Sequence, residues 1–522
     1  MRLGLALACA LPVATTGCSL IYNPNNIDKP DPDALQAIDA EIVVDADPAG
    51  LTVETVTTPV IYEGQGVDGA KRGVVVVTGT NFGTDAKLSI TDHATGAVVA
   101  SLVANPDDSS VAGNHKMIVL PVTANIDAND EDIRLDVHVT QDNMGTPITR
   151  DLTAGDNDAP VLVLRGLPAV DDMNADVPIS TGTATGGQSS EPVTLLYAKI
   201  NAKKLTITGQ HPLVLRTISS LSVVDLVDVS GKASVGVAGG GGGGAGGPVN
   251  TTGTTAVGPC GGGGGVGGGL LNAPGTGASG GFVTPAAGGT CTSAPDENLS
   301  DLTLNIGSGG GGGGGQYLAG ATGGVGGASG GTLQIDSGAA LTLMGGVSAN
   351  GAAGATVNNA GTGGAGSAGA VLLRARGMLT AGPVTALPGA ASAGTGRIRY
   401  DSGVMSASIT TMPTGYRGPA LSFATQSEIL KNPLPALTVY GTPAAKLKLT
   451  IDGFQNTGEP SHKTLSVELG DDGQNTVNLG DGQNLFRGVN TICAVVDAAV
   501  GMPVRDEAKD CISVVYVFQD GQ

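Results

Sequence analysis

Leu213-Val214-Leu215, Leu221-Ser222-Val223 and Val227-Asp228-Val229 return as Leu333-Gln334-Ile335, Leu341-Thr342-Leu343 and Val347-Ser348-Ala349. A looser third copy reads Val371-Leu372-Leu373, Met378-Leu379-Thr380 and Val384-Thr385-Ala386. Each copy is strand, corner, strand, corner, strand. A unit this small cannot bury its apolar side alone, so copies must stack. Three-residue strands suit the flat faces of a parallel β-helix, where each strand pairs with its equivalent one coil away. Aligning the copies places Arg216, Asp336 and Arg374 at one corner, a charge ladder along the outer surface.

The copies lie in a glycine-rich region spanning residues 195–405. A glycine-only segment has no side chains to bury and loses the most backbone entropy on ordering. Runs such as Gly239–Gly244 and Gly309–Gly315 are therefore expected to be loops or loosely packed coils. One further strand candidate, Leu302-Thr303-Leu304-Asn305-Ile306, lies between the first two copies. A disordered low-complexity linker is the competing reading, and it explains the glycine but not the recurring triplets. The alternation of glycine-rich turns with short apolar strands resembles the glycine-rich β-helices of bacterial surface proteins.

Both flanks alternate in strand fashion, so an all-β fold is expected throughout. Residues 49–165 contain Val74-Val75-Val76-Val77, Lys87-Leu88-Ser89-Ile90, Ala97-Val98-Val99-Ala100, Lys116-Met117-Ile118-Val119-Leu120 and Ile133-Arg134-Leu135-Asp136-Val137. Turn residues separate them, as in a β-sandwich. Within this region Val77-Thr78-Gly79-Thr80-Asn81-Phe82-Gly83 resembles the IPT/TIG immunoglobulin-like domain, which implies a tight turn with an inward phenylalanine. Residues 419–522 carry six strand candidates, beginning at Ala436, Leu447, Leu465, Thr476, Thr491 and Ile512. There Leu485-Phe486-Arg487-Gly488-Val489-Asn490-Thr491-Ile492 resembles the strand lead-in of bacterial Ig-like domains, implying a second sandwich.

Residues 1–18 read as a processing segment, with Arg2 as the positive region and an apolar stretch from Leu3 to Val13 too short to span a bilayer. Thr15-Thr16-Gly17-Cys18 resembles the lipobox of bacterial lipoproteins, which implies lipidation of Cys18 and, with Ser19 following, sorting to the outer membrane. Residues 19–48, rich in Asn, Asp and Pro, read as an extended tether. Of the six cysteines, Cys9 falls in the signal and Cys18 is assigned to lipid. The remaining four, Cys260, Cys291, Cys493 and Cys511, fit an oxidising compartment. Chain order pairs Cys260 with Cys291 and Cys493 with Cys511, each loop stabilising by about 3 kcal/mol.

The formal charge of −20 argues against nucleic acid, which needs clustered Lys and Arg. The five histidines lack ligand spacing, and no nucleophile elbow, zinc-binding helix or phosphate loop is present. No cofactor or metal is expected. Acidic turns at Asp127–Asp132 and Asp471–Asn475 match neither calcium-loop pattern and serve as ordinary turn formers. The expected function is that of a lipid-anchored structural or adhesive surface protein without catalysis, with a surface glycan or protein as partner. A glycan- or protein-binding envelope module is the alternative. A polysaccharide lyase or hydrolase is the third reading, with Arg374 or Arg376 as base and Asp336 as cation ligand in the solenoid groove.

Overall fold

The computed structural model describes residues 50–517 apart from 112–114, 128–130, 144, 154–160, 185–187, 269–271, 287–306, 317–318, 403–408, 419–420, 424–428, 431–434, 442, 455–459, 480–483, 487 and 499–508. Cys18, the tether, Cys291 and the strand candidate at 302–306 lie outside the described residues.

Val and Ile at alternate positions between Thr52 and Arg165 build two five-stranded sheets. One runs Thr52–Val56, Gly73–Thr80, Met117–Ala124, Leu102–Val103, with Ser110–Val111 also paired to Met117–Ala124. The other runs Val60–Tyr62, Leu162–Arg165, Ile133–Asn143, Lys87–Asp92, with Thr146–Leu152 beside Ile133–Asn143. Val75, Val77 and Ile118 of the first face Leu88, Leu135 and Val137 of the second in one core. Phe82 is fully buried there, beside a turn in which Asn81 takes a left-handed φ of 63°. The run Ala97-Val98-Val99-Ala100 is not a strand. The turn at Asp92–Ala97, closed by Asp92 N donating to Ala97 O at 2.8 Å, leaves Val98 in solvent and only Val99 in the core.

The repeated triplets form three parallel sheets. The first stacks Ala169–Ser180, Lys199–Thr208, Leu221–Val223, Leu341–Leu343 and Leu379–Ala381. The second stacks Val193–Tyr197, Leu213–Thr217, Thr332–Ser337, Ala370–Ala375, Arg397–Ser402 and Tyr416–Arg417. The third stacks Val227–Asp228, Val347–Ser348, Val384–Thr385 and Thr411–Met412. Leu213, Leu333 and Val371 stand in register, as do Leu221, Leu341 and Leu379, and their side chains fill a single core. The parallel sheets thus reach beyond residues 195–405 at both ends. Ala169–Ser180 is an edge, and Asp171, Asp172, Asp176 and Pro178 there discourage further strand addition.

The glycine runs are not loose. They leave the solenoid at one corner, after Val229 and again after Ala349, and return at Thr332 and Ala370. In residues 309–315 three successive amides point to three different neighbours. Gly309, Gly312 and Gly315 donate to Val257, Thr254 and Thr251, while Gly310 and Gly313 donate to Gly327 and Gly324. Gly311 and Gly314 donate to Ala278 and Gly275. Their carbonyls accept from three more segments: Gly310 from Gly244, Gly312 from Gly265, and Gly311 from Gly364. A repeat of three with no internal hydrogen bond is the polyproline II helix, not the period-two strand. None of these seven glycines takes a positive φ, which fits the left-handed threefold form.

Residues 309–315 are therefore the axis of a bundle, surrounded among the described residues by six extended segments. The side-chain direction at Gly311 is filled by Gly263 O, 2.1 Å from where a Cβ would stand, and at Gly313 by Gly361 O at 2.0 Å. Each glycine aims a Cα–H at a neighbour's carbonyl, a weak but repeated attraction. Burial by backbone alone satisfies every donor of the run, the requirement that a loop reading overlooked. Segments with an open side carry a side chain every third residue. Exposed Ala245 and Pro248, Thr252 and Thr255, and Ala353 and Thr356 are such pairs.

Residues 421–517 form the second sandwich. Leu421–Phe423, Ala436–Gly441 and Gln474–Asn478 make one sheet. Ile429–Leu430, Lys509–Tyr516, Gly488–Ala498, Lys446–Phe454 and Pro460–Glu468 make the other. Asn490 is buried at the lead-in of Gly488–Ala498. Its amide accepts from Phe486 N at 2.7 Å and donates to the carbonyls of Phe486 at 2.6 Å and Gly488 at 2.9 Å.

The two sandwiches do not sit at opposite ends of a spacer. Val76, Met117 and Val119, on the outer face of the first, pack against Val515 and Val517 of the second. The first also meets the solenoid, where Leu167, Ala198 and Ile218 cluster with Tyr62 and Leu196. Buried Glu63 accepts from the amides of Asp127 and Leu167 at that junction.

Candidate functional site

The ladder expected at Arg216, Asp336 and Arg374 exists, and the next coil extends it. Arg216 pairs in register with Asp336, Asp336 with Arg374, and Arg374 with Asp401. Strand alternation turns Leu215, Ile335 and Leu373 into the solenoid core and these charged residues outward. The outer face is nevertheless covered, which corrects the expectation of a solvated ladder. The four side chains expose between 9% and 19% of their area, and the neighbouring outward residues Val214, Gln334 and Leu372 are buried.

Within this layer opposite charges meet. Arg216 Nε lies 3.3 Å from Asp336 Oδ2, which also accepts from Gln334 Nε2 at 2.6 Å. Asp336 Oδ1 is buried with no hydrogen-bond partner among the described residues. Arg374 Nε stands 3.9 Å from Asp401 Oδ2, and Arg399, fully buried, donates through Nε to both oxygens of Asp401 at 3.0 and 3.2 Å. The Arg399 guanidinium also lies over the Tyr416 ring, 5.4 Å from its centroid. Arg376 reaches the second sandwich, its Nε 3.2 Å from Asp510 Oδ1.

A guanidinium presents five N–H donors and no acceptor, so it has no lone pair to offer a substrate proton. The arrangement therefore suits electrostatic cementing of a buried face rather than proton abstraction by Arg374 or Arg376. Among the described residues no group of three or more His, Cys, Asp or Glu side chains is placed to hold a metal ion. Asp472 is engaged within its own turn, where hydrogen bonds from the side chain and backbone of Gln474 hold its carboxyl below the usual range.

Three of the five histidines pair with carboxylates, while His115 and His211 bond backbone carbonyls. His93 Nδ1 lies 2.9 Å from Asp136 Oδ1. His138 bridges Asp151 Oδ1 at 2.6 Å and Thr91 Oγ1 at 2.8 Å. The same carboxylate, imidazole, hydroxyl order recurs at Asp452, His462 and Thr464, where the imidazole and carboxylate are both exposed. Recurrence at two unrelated places identifies it as sheet-surface pairing.

At the junction of the first sandwich with the solenoid, Lys199 Nζ lies 3.0 Å from Asp68 Oδ2 and 3.1 Å from Asp171 Oδ2. Burial alone would depress Lys199, but the hydrogen bonds to Asp68 and Asp171 outweigh it and hold the ammonium above the usual lysine range. Hydrogen bonds from Asn201 and Lys199 hold Asp171 below the usual carboxylate range. No sequence feature singled out this triad, because Asp68 belongs to a loop and Lys199 to a strand of a different unit.

Cys493 and Cys511 form a disulfide between directly opposed residues of Gly488–Ala498 and Lys509–Tyr516, as chain order implied. Cys260 is buried and disulfide-bonded, and its expected partner Cys291 lies outside the described residues. No helix among the described residues is long and apolar enough to cross a membrane. No protein-family profile matches the chain, and no curated protein sequence matches it significantly.

Proposed function

We propose that this chain is a lipid-anchored surface scaffold with a structural or adhesive role and no catalytic activity. The observation that carries the reading is the glycine bundle, a body cross-linked by backbone hydrogen bonds that presents small side chains at three-residue intervals. Such a repeat is about 9 Å along a polyproline II axis. Fixed spacing on a body that needs no ordering lowers the entropic cost of contact with a glycan or protein surface. The arginine–aspartate layer supports the same reading, since its charges pair with one another.

The finer assignments belong to this proposal. Cys18 would carry the lipid and residues 19–48 would hold the block away from the outer membrane. The inward Phe82 and its left-handed Asn81 turn support the likeness of the first sandwich to IPT/TIG domains. The Asn490 clamp supports the likeness of the second to bacterial Ig-like domains.

The test has two arms. Metabolic labelling with an alkyne fatty acid should tag the wild type and leave Cys18→Ser untagged and released from membranes. An untagged wild type would remove the anchor. Displayed on cells, Thr255→Asp combined with Val266→Asp, the latter at an exposed residue whose backbone packs against Gly314, should reduce attachment to a glycan-coated surface while the thermal transition stays within 2–4 °C or so, as expected of surface substitutions. Undiminished attachment would remove the bundle as the adhesive face.

A further inference from the structure

The final strand, Lys509–Tyr516, touches all three parts of the molecule. Ile512, Val514 and Tyr516 face the core of the second sandwich. By alternation Cys511 and Val515 face the other way, as do Cys493 and Val489 on the adjacent strand. That outward face is the one on which Val515 and Val517 meet Val76, Met117 and Val119 of the first sandwich. The Cys511 carbonyl accepts from Lys71 Nζ of the first sandwich. One residue earlier, Asp510 pairs with Arg376 of the solenoid and accepts from the amide of Phe423 at 2.9 Å. Both half-cystines, although on the outer side of their sheet, are only 3% and 6% exposed.

On this same face the first sandwich packs against Val515 and Val517, and its Lys71 reaches the Cys511 carbonyl. We propose that Cys493–Cys511 is the lock of a clasp between the two sandwiches. With the disulfide closed, the last two strands are held in the register that presents Val489, Val515 and Val517 as one surface, and the first sandwich then covers the bond. Opening is a two-electron exchange with a dithiol reductant. One of its thiolates attacks a cystine sulfur and displaces the other cysteine as thiolate. The reductant's second thiolate then releases the first cysteine, leaving two protein thiols and an oxidised reductant. Closing is the reverse exchange with a disulfide oxidant. Because the reductant must reach a covered sulfur, docking and oxidation protect each other. The clasp closes where disulfides form and then resists reopening. This inference stands on the disulfide and the docked faces, independently of the anchor and of adhesion.

The test uses the full chain and a phosphine reductant, with alkylation and peptide mass spectrometry reading free Cys493. Met117→Asp places a charge on the docking face of the first sandwich without entering either core, and should speed reduction about tenfold or more through local opening. In the converse measurement, Met117 of the wild type should be oxidised by peroxide about tenfold faster after reduction than before. Hydrogen exchange in Lys446–Phe454 and Ile133–Asn143 checks that each sandwich stays folded. Equal reduction rates in wild type and Met117→Asp would overturn the proposal. So would a Met117 that stays protected after reduction, or a second sandwich that unfolds outright when reduced, since the bond would then only staple its own domain.

Discussion

The amide of Gly364 donates to the carbonyl of Gly311 at 2.7 Å, joining two excursions that leave the solenoid from different coils. Gly311 in turn donates to Ala278 at 2.8 Å, and a Cβ on it would stand 2.1 Å from Gly263 O. Backbone cannot retreat here, because each neighbour is pinned by its own hydrogen bonds. Gly311→Ala should therefore destabilise by about 3 kcal/mol or more, at the upper end of overpacking effects. Gly263→Ala is the matched control. A Cβ there meets nothing within 4 Å, so the change should be neutral or stabilise by up to about 1 kcal/mol through the unfolded chain. Denaturant unfolding of the two variants checks the contrast.

The charge layer predicts non-additivity. Arg216→Met leaves the Asp336 carboxylate buried with only Gln334 still bonded to it among the contacts named above, and should cost about 3 kcal/mol or more. Adding Asp336→Leu removes the stranded charge, so the double variant should recover part of that loss. A double-mutant cycle should give a coupling of about 1–3 kcal/mol. Additive losses would mean that the two residues do not form a unit.

At the first junction, Asp171 is held below and Lys199 above the ordinary range. A depressed carboxylate contributes stability that is present above its unfolded pKa of about 3.9 and lost as pH falls through the folded value. A raised lysine contributes stability that is present below about 10.4 and lost as pH rises through its folded value. The junction should thus hold between about pH 4 and 10 and loosen outside those limits. Asp171 is largely exposed, so the acid-side effect will be the smaller one. Accessibility of Tyr62 and Tyr197 to iodination across pH, compared with Lys199→Met, reads the loosening.

Asn490 satisfies the amide and carbonyl of Phe486 and the carbonyl of Gly488. Asn490→Ala leaves those groups unpaired and should cost about 2–3 kcal/mol. Asn490→Asp turns a carboxylate toward two carbonyl oxygens, which favours its protonated form. Its stability deficit should shrink as pH falls, the opposite of the Asp171 response, and thermal unfolding at two pH values would show it.

Much of this architecture is readable from side chains. The Leu213, Leu333 and Val371 register and the six strands from Ala436 onward follow from apolar spacing, and the opposed Cys493 and Cys511 follow from chain order. Docking of the sandwiches left a trace as well. Val74-Val75-Val76-Val77 and Val514-Val515-Tyr516-Val517 are continuous apolar runs, the pattern of strands covered on both faces, where one exposed face would give alternation. The glycine bundle was hidden for a physical reason. A period of three is visible only where the third position carries a side chain, as in Gly323-Gly324-Val325-Gly326-Gly327-Ala328. At 309–315 six neighbours leave no open side, so every position is glycine and the period disappears. The burial of Arg216, Asp336 and Arg374 is likewise not encoded in strand spacing.

Amide hydrogen exchange across residues 309–315 tests the central claim most directly. If this run is the axis of the bundle, its amides should exchange as slowly as those of Leu333–Ile335 in the solenoid core, and slower than Thr252 and Thr255 on the rim. Exchange at the rate of an unstructured peptide would contradict it, for a backbone that donates to three neighbours cannot also be open to water.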